Sequence, residues 1–482
     1  MMDMNRSQKA LDFFLEICQI PRPSGHEEKM IHYLEQFATS HNLAYETDSA
    51  GNVLIRKPAT LGRENAPGIV LQAHTDMVPS QREGIGHDFL NDPIRPKIEG
   101  EWLSAQGTTL GADNGIGVAA ALAVLDANDI KHGPIECLFT VCEEEGLGGA
   151  YTIAPHWMKS PYLINLDSEE EGEIFVGCAG GNQFSATFNY TEEPAPEGYF
   201  LASVAVSNLQ GGHSGDDINK GRANAIKLLV GLLNDFALHF PVHIASLSGG
   251  DRHNTIPISA RALIAVPWEQ KEPLRILFNI FTSELEREYR ITDPKMHFTL
   301  SSEDLTQKIN FIPYEDGKRI LKVLFAAPTG VYAFSQEAPT FVETSNNLAI
   351  VVQKEGQLII HSSQRSDSSF ALQQITRILA ATFELAGAKV EWDEGYPGWT
   401  PIYDSPLLSV AKKEYIRLFQ KEAKVKTIHA GLECGLLSSK YPEMQMISFG
   451  PTLLGVHTPE EKMYLPSLDK FWIHLKAILE AI

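Results

Sequence analysis

Residues 68–76 read GIVLQAHTD, an apolar run that suits a buried strand yet closes on a histidine and an aspartate one residue apart. Three further segments share this design. IECLFTVC runs into Glu143, Glu144 and Glu145, PYLINLD ends on Asp167, and MQMISFG leads through PTLLGV to His457. Short apolar strands alternating with helical patterns, such as GIGVAAALAVLDAN, imply an α/β sheet covered by helices. In sheets of that kind ligands bind beyond the carboxyl ends of the strands. Strand ends carrying histidine and carboxylate therefore point to one shared site.

The texture changes after about residue 180. Strands around a polar loop, TEEPAPEGY, give way to the helical pattern RANAIKLLVGLLNDFAL, the strands RALIAVP, MHFTLSS, LAIVVQ and QLIIHSS, and the helical LQQITRILAATFELAG. Strand, helix, strand, strand, helix, strand is an α+β order, and the region reads as one or two copies of it. Beyond Trp399-Thr400-Pro401 the α/β texture returns with LLSVAKKEYIRLFQ, MQMISFG and FWIHLKAILEAI. The simplest topology is an α/β domain with a central mixed sheet flanked by helices, residues 1–181 and 398–482, interrupted by an inserted α+β domain at 182–397.

Composition narrows the function. At 482 residues the chain exceeds one typical core. A net charge of −21 argues against nucleic acid or an anionic membrane as partner. No apolar run approaches the roughly 18 residues of a membrane span. Asp12 and Glu16 interrupt the first apolar stretch, which reads as an amphipathic helix ended by Pro21 and Pro23 and not as a signal peptide. Five cysteines without a CxxC fit a reducing cytoplasm. GADNGIG is not a dinucleotide fingerprint, and no phosphate loop or GxSxG elbow is present.

Each polar strand end alone has an ordinary explanation. An HxD makes a turn, a glutamate run makes a solvated loop, and Asp113 in TTLGADNGIG caps the helix that follows it. Together they form a cluster of carboxylates and imidazoles that needs cations, because unpaired buried charge is costly. Imidazole with carboxylate suits zinc, with manganese or cobalt as substitutes. His74, Asp113, Asp167, His457 and one glutamate are five ligands, one short of two three-ligand sites unless one carboxylate bridges. Two ions so bridged would clamp a water and a carbonyl oxygen. The adjacent pair Glu143-Glu144 supplies one ligand and one general base.

With these segments in view, the sequence resembles the co-catalytic dizinc family of aminoacylases, carboxypeptidases and dipeptidases, the bacterial cytosolic aminoacyl-histidine (Xaa-His, beta-alanyl-histidine) dipeptidases above all. The matching segments are IPRPSGHEEK, LQAHTDMVP, TTLGADNGIG, the glutamates before EGLGGA, INLDSEE, GGHSGDDINKGRANAIK, HNTIPISA, HAGLECG and GPTLLGVHTPEE. The resemblance implies that His74, Asp113 and Asp167 hold one zinc and Asp113, Glu144 and His457 the other, with a cis peptide at Asp113-Asn114. It implies Glu143 as general base, Asp76 orienting His74, and the inserted domain as a lid. There His213 would stabilise an oxyanion on closure, and Asn254 and Arg365 would hold the substrate's terminal carboxylate. Glu433 would receive a free amino group. A third glutamate, Glu145, departs from the family's pattern and leaves a register one residue later open, although the spacing to LGGA favours Glu143-Glu144.

The function expected is a cytoplasmic dizinc dipeptidase acting on short unblocked dipeptides, of Xaa-His type or broader, and dimeric through the lid. A related N-acyl amino acid deacylase and a non-catalytic binding protein on the same fold are the alternatives.

Overall fold

The computed structural model describes residues 7–194, 197–303, 309–336 and 338–482. It divides into two compact units. One comprises the chain up to Cys178 with Trp399–Ile428 and Leu432–Ile482; the other comprises Ala179–Gly398 and His429–Gly431.

The first unit is built on an eight-stranded mixed sheet. Its order is Ala44–Thr47, Val53–Lys57, Ile135–Thr140, Ile69–His74, Tyr162–Asn165, Gln445–Ser448, Glu173–Cys178 and Lys424–Ile428. The four central strands, from Ile135–Thr140 to Gln445–Ser448, run parallel. Ile69–His74 and Ile135–Thr140 are buried at every position, as strands covered on both faces must be.

Helix Ala112–Asp126 has almost no polar side chain after Asn114 and is buried on all sides. The first helix, Gln8–Ile17, buries Ala10, Phe13, Phe14 and Ile17, a spacing that puts one apolar stripe into the same core. Burying a side chain such as Phe14 contributes about 1.5–3 kcal/mol. This helix stops at Ile17, ahead of Pro21.

The second unit holds a nine-stranded sheet whose described pairings are all antiparallel. Its first half runs Tyr199–Ser207, Ala225–His239, His243–Gly249, Ala260–Pro267, Lys271–Glu288 and His297–Ser302, the strand, helix, strand, strand, helix, strand order seen in the sequence. The second half carries an extra strand, Gly330–Phe334, paired to Val342–Lys354. A separate core of Phe, Leu, Ile and Val side chains fills this unit. Asn224 and Ser368 cap two of its helices through their side chains.

Several elements carry no clear sequence signal. The edge strands Ala44–Thr47 and Lys424–Ile428 are polar and exposed or half-buried, so no apolar run marks them. Among the described residues no helix is long and apolar enough to cross a membrane. The mixed α/β fold class agrees with the sequence reading.

Candidate metal centre

The four parallel strands deliver their polar ends to one place. Ile69–His74 ends on His74, Ile135–Thr140 leads to Glu143 and Glu144, Tyr162–Asn165 to Asp167, and Gln445–Ser448 to the hairpin bearing His457. Asp113 enters from the start of the buried helix. Its peptide bond to Asn114 is cis, and both residues depart from helical angles. Asn114 Oδ1 accepts the N–H of Gly117 at 3.2 Å, so the capping role falls to Asn114 and leaves the Asp113 carboxylate free of it.

Two groups of three result: His74, Asp113 and Asp167, and Asp113, Glu144 and His457, with ligand atoms in each within 4.8 Å of one another. His74 Nε2 lies 3.1 Å from Asp113 Oδ1 and 3.3 Å from Asp167 Oδ1. His457 Nε2 lies 3.0 Å from both Asp113 Oδ2 and Glu144 Oε2. Asp113 therefore gives one oxygen to each histidine. A third trio within the same limit joins His74, Glu143 and Glu144. Glu145 is exposed and belongs to none of these groups.

The electrostatics ask for cations. Burial pushes the Asp167 carboxyl up to about 7, with Asp113 and Glu144 adding to the push and His74 opposing it. Burial raises Glu143 well above the carboxylate range, helped by Asp167, Glu433 and Glu144. Among the described residues the ion-pair partners of Asp113, Glu144 and Asp167 are histidines alone. The Glu144 Oε1 is buried without a hydrogen-bond partner. His74 turns Nδ1 toward Asp76 Oδ1 at 3.3 Å, a long and poorly aligned approach. Its Nε2 then faces two carboxylate oxygens at once. One ring proton cannot satisfy both, whereas a divalent ion would, so the donor set fits a metal.

Asp76 does more than face His74. Its Oδ1 accepts the N–H of Glu143 at 3.0 Å and its Oδ2 that of Glu144 at 3.2 Å, and Ser24 Oγ donates to it at 2.8 Å. Although burial works against its charge, the His74 ring and these donors hold Asp76 down to about 2. Glu433 is fully buried. Its Oε2 accepts from Gln72 Nε2 at 2.6 Å and Thr140 Oγ1 at 2.7 Å, and its Oε1 has no partner. Burial lifts it to about 7.

The remaining sequence candidates lie in the second unit. His213 Nδ1 lies 3.3 and 3.2 Å from the N–H groups of Gly215 and Asp216 and 3.4 Å from Asp216 Oδ2. Ser214 N–H donates to Asn254 O at 2.9 Å, which brings the His213 and Asn254 segments side by side. Arg365 Nη1 donates to Tyr396 Oη at 3.1 Å, and its buried Nε has no partner. His429 lies in the same unit with Nε2 at 2.7 Å from Ser345 Oγ; burial drives its pKa down to about 3, with Arg365 adding to the effect.

Sequence reasoning missed His429, Arg22, Glu27 and Glu461. Glu27 Oε1 accepts the N–H groups of Gly25 and Cys142, tying down the turn before Glu143. Arg22, Glu27 and Glu461 all sit inside the matching segments IPRPSGHEEK and HTPEE, which was the available signal. At Gly450 the backbone after Gln445–Ser448 passes so close to the Asp167 segment that a Cβ would meet Ser168 O at 1.8 Å.

A peptidase is the class these features define. The model of peptidase family M20/M25/M40 matches residues 70–481, and the chain belongs to that family. It is 41% identical over 475 residues, 98% of each chain, to the cytosol non-specific dipeptidase of Escherichia coli. The crystal structure of an aminoacylhistidine dipeptidase from Vibrio alginolyticus superposes with a TM-score of 0.91 at 41% identity, over 98% of this chain and 96% of that one. A tripeptidase from Staphylococcus aureus, 16% identical with a TM-score of 0.57 over 98% of each chain, shares the fold.

Proposed function

We propose that this peptidase is a dipeptidase carrying two divalent ions, zinc by donor chemistry, and that it cleaves short unblocked dipeptides, Xaa-His among them. The observation that carries this reading is Asp113, whose two oxygens each lie about one ligand bite from a different histidine at 3.1 and 3.0 Å. His74, Asp113 and Asp167 would hold one ion and Asp113, Glu144 and His457 the other. When bound, such ions polarise a carbonyl and acidify water.

The chain's own groups supply the rest. Glu143, raised by burial, takes a proton from the attacking water and returns it to the leaving amine nitrogen, so no covalent enzyme intermediate forms. Asp76 keeps His74 oriented and holds the Glu143-Glu144 turn by its backbone. The exposed position of Glu145 supports Glu143 as base and Glu144 as ligand. From the second unit, His213 suits donation to a developing oxyanion, and Asn254 and Arg365 suit a terminal carboxylate. Glu433, with one unpartnered oxygen, suits a free ammonium group. Relatives called dipeptidases at full-length similarity support the substrate class, a cytosolic setting and this assignment. A homodimer formed through the second unit completes the proposal.

The test is hydrolysis of a dipeptide against its N-acetylated form, before and after dialysis against a chelator and with zinc restored. Cleavage of the free dipeptide that disappears and returns with metal is expected. Cleavage of the acetylated compound alone makes the chain a deacylase, and activity indifferent to chelation removes the metal mechanism.

A further inference from the structure

Two buried charged side chains stand behind the ligand set, and the hydrogen bonds described for them all go to backbone. Glu461, 2% exposed, lies beside the return strand of the hairpin that carries His457. Its Oε2 accepts the N–H groups of Leu110 and Gly111 at 2.7 and 2.9 Å, and its Oε1 those of Ala112 and Asp113 at 2.8 and 3.2 Å. Four successive peptide planes leading into Asp113 are thus fixed by one carboxylate.

Arg22, also 2% exposed, grips the same stretch through its carbonyl side. Nη2 donates to Gly111 O at 2.5 Å, while Nη1 donates to Thr75 O and Asp76 O at 2.9 Å each. The guanidinium fits because residues 111 and 115 are glycines. A Cβ at Gly111 would meet Nη2 at 2.6 Å and one at Gly115 would meet it at 2.5 Å, and Gly111 also holds φ +70.

The connectivity is specific. Arg22 ties the His74–Asp76 segment to the Asp113 segment, and Glu461 ties the His457 hairpin to the Asp113 segment. Helix capping alone asks for an acceptor or two from a short polar residue, not a buried carboxylate spanning four donors and a buried guanidinium beneath it. We propose that Glu461 and Arg22 are positioning residues for the shared carboxylate, which fix Asp113 against both histidines and thereby set the affinity of both ligand groups for metal. This inference rests on the reading of those groups as metal ligands.

The experiment titrates zinc into metal-free full-length protein against a chromophoric chelator, with thermal midpoints of the metal-free proteins measured alongside. Glu461→Gln turns one acceptor oxygen into an NH2 group facing two N–H donors. It is expected to weaken zinc binding about 10–100-fold at both groups, as loss of a supporting residue does. Glu461→Asp should recover part of that loss. Arg22→Lys keeps the charge without the fork and should fall in the same range as the glutamine variant. Zinc affinity within about threefold of wild type in these variants, with only the thermal midpoint lowered, overturns the inference. If Glu461→Gln does not fold, Glu461→Asp and Arg22→Lys are judged by the same two results. A wild-type chain that takes up no zinc overturns the metal reading itself; zinc-binding wild type beside equally competent variants overturns this inference alone.

Discussion

His74, Asp113 and Asp167 are one group that could hold an ion, and Asp113, Glu144 and His457 the other, yet the two are made differently. In the first, His74 is the last residue of a buried central strand and Asp167 follows the strand beside it. Their side chains are 1% and 8% exposed. In the second, Glu144 sits on a turn and His457 on a hairpin with φ +62, its side chain 49% exposed. Paired strands set the first geometry. Backbone anchors on Asp76 and Glu27 set the Glu144 turn of the second, and Glu461 anchors the Asp113 stretch that both share. A site can thus join a rigid, dry half to a more open half through one carboxylate, and the halves should respond differently to damage.

The strongest test of that contrast concerns the residue outside both groups. Glu143→Gln should lower turnover by about 10²–10⁴ while both ions stay bound, read by steady-state assay beside elemental analysis. Loss of an ion would make Glu143 a ligand, and turnover left intact would move the base to Glu144 and the ligand to Glu145. Next, His457→Ala should leave one equivalent of metal on the strand-rooted group, whereas His74→Ala should cost that group its ion. The ion left in His457→Ala should be the more tightly held of the two; equal affinity for the remaining ion in both variants would erase the distinction between the halves. Limiting chelator applied to the wild type should draw metal in two phases, the ion beside half-exposed His457 leaving first; a single phase breaks the comparison.

Asp76→Ala should reduce turnover by about 10–100-fold and metal content less, because it loosens the Glu143-Glu144 turn as well as His74. Metal loss equal to that of His74→Ala would assign Asp76 to the ligand set. The smallest effect lies away from the centre. His474 donates to Ala411 O at 2.8 Å, and burial lowers its pKa to about 4. Because the folded value lies below the unfolded one of 6.5, stability is full above that value and falls as pH drops toward 4. His474→Phe should flatten that limb of the denaturation profile, by at most about 3 kcal/mol, with turnover unchanged.

What the sequence discloses follows from where apolar runs are. GIVLQAH, IECLFTVC and PYLINLD mark the central strands because burial on both faces leaves few polar positions, Gln72, Glu136 and Asn165 among them. Their polar ends stand out for the same reason. Lys424–Ile428 alternates lysine with apolar residues at a sheet edge and has no such contrast. The three glutamates at 143–145 are chemically equal in the sequence, and only the turn after Cys142, at φ +54, separates inward from outward side chains. Glu461 follows Glu460 and reads as solvated acid, since a carboxylate that serves backbone N–H groups leaves no periodic mark. Arg22, between two prolines, likewise leaves no periodic mark, and only the resemblance of its segment points to it.

The place of Gln445–Ser448 bears on how the chain is made. It lies between Tyr162–Asn165 and Glu173–Cys178, strands that leave the ribosome long before it. Until residues 445–448 emerge, those two strands lack the neighbour that joins them, and an open edge of this kind invites wrong pairing. The antiparallel sheet of the second unit draws its strands from residues between Ala179 and Gly398, so it can close first. Translation order therefore makes the inserted unit the earlier folder, and His457 reaches its carboxylates as one of the last events of a slow, long-range closure.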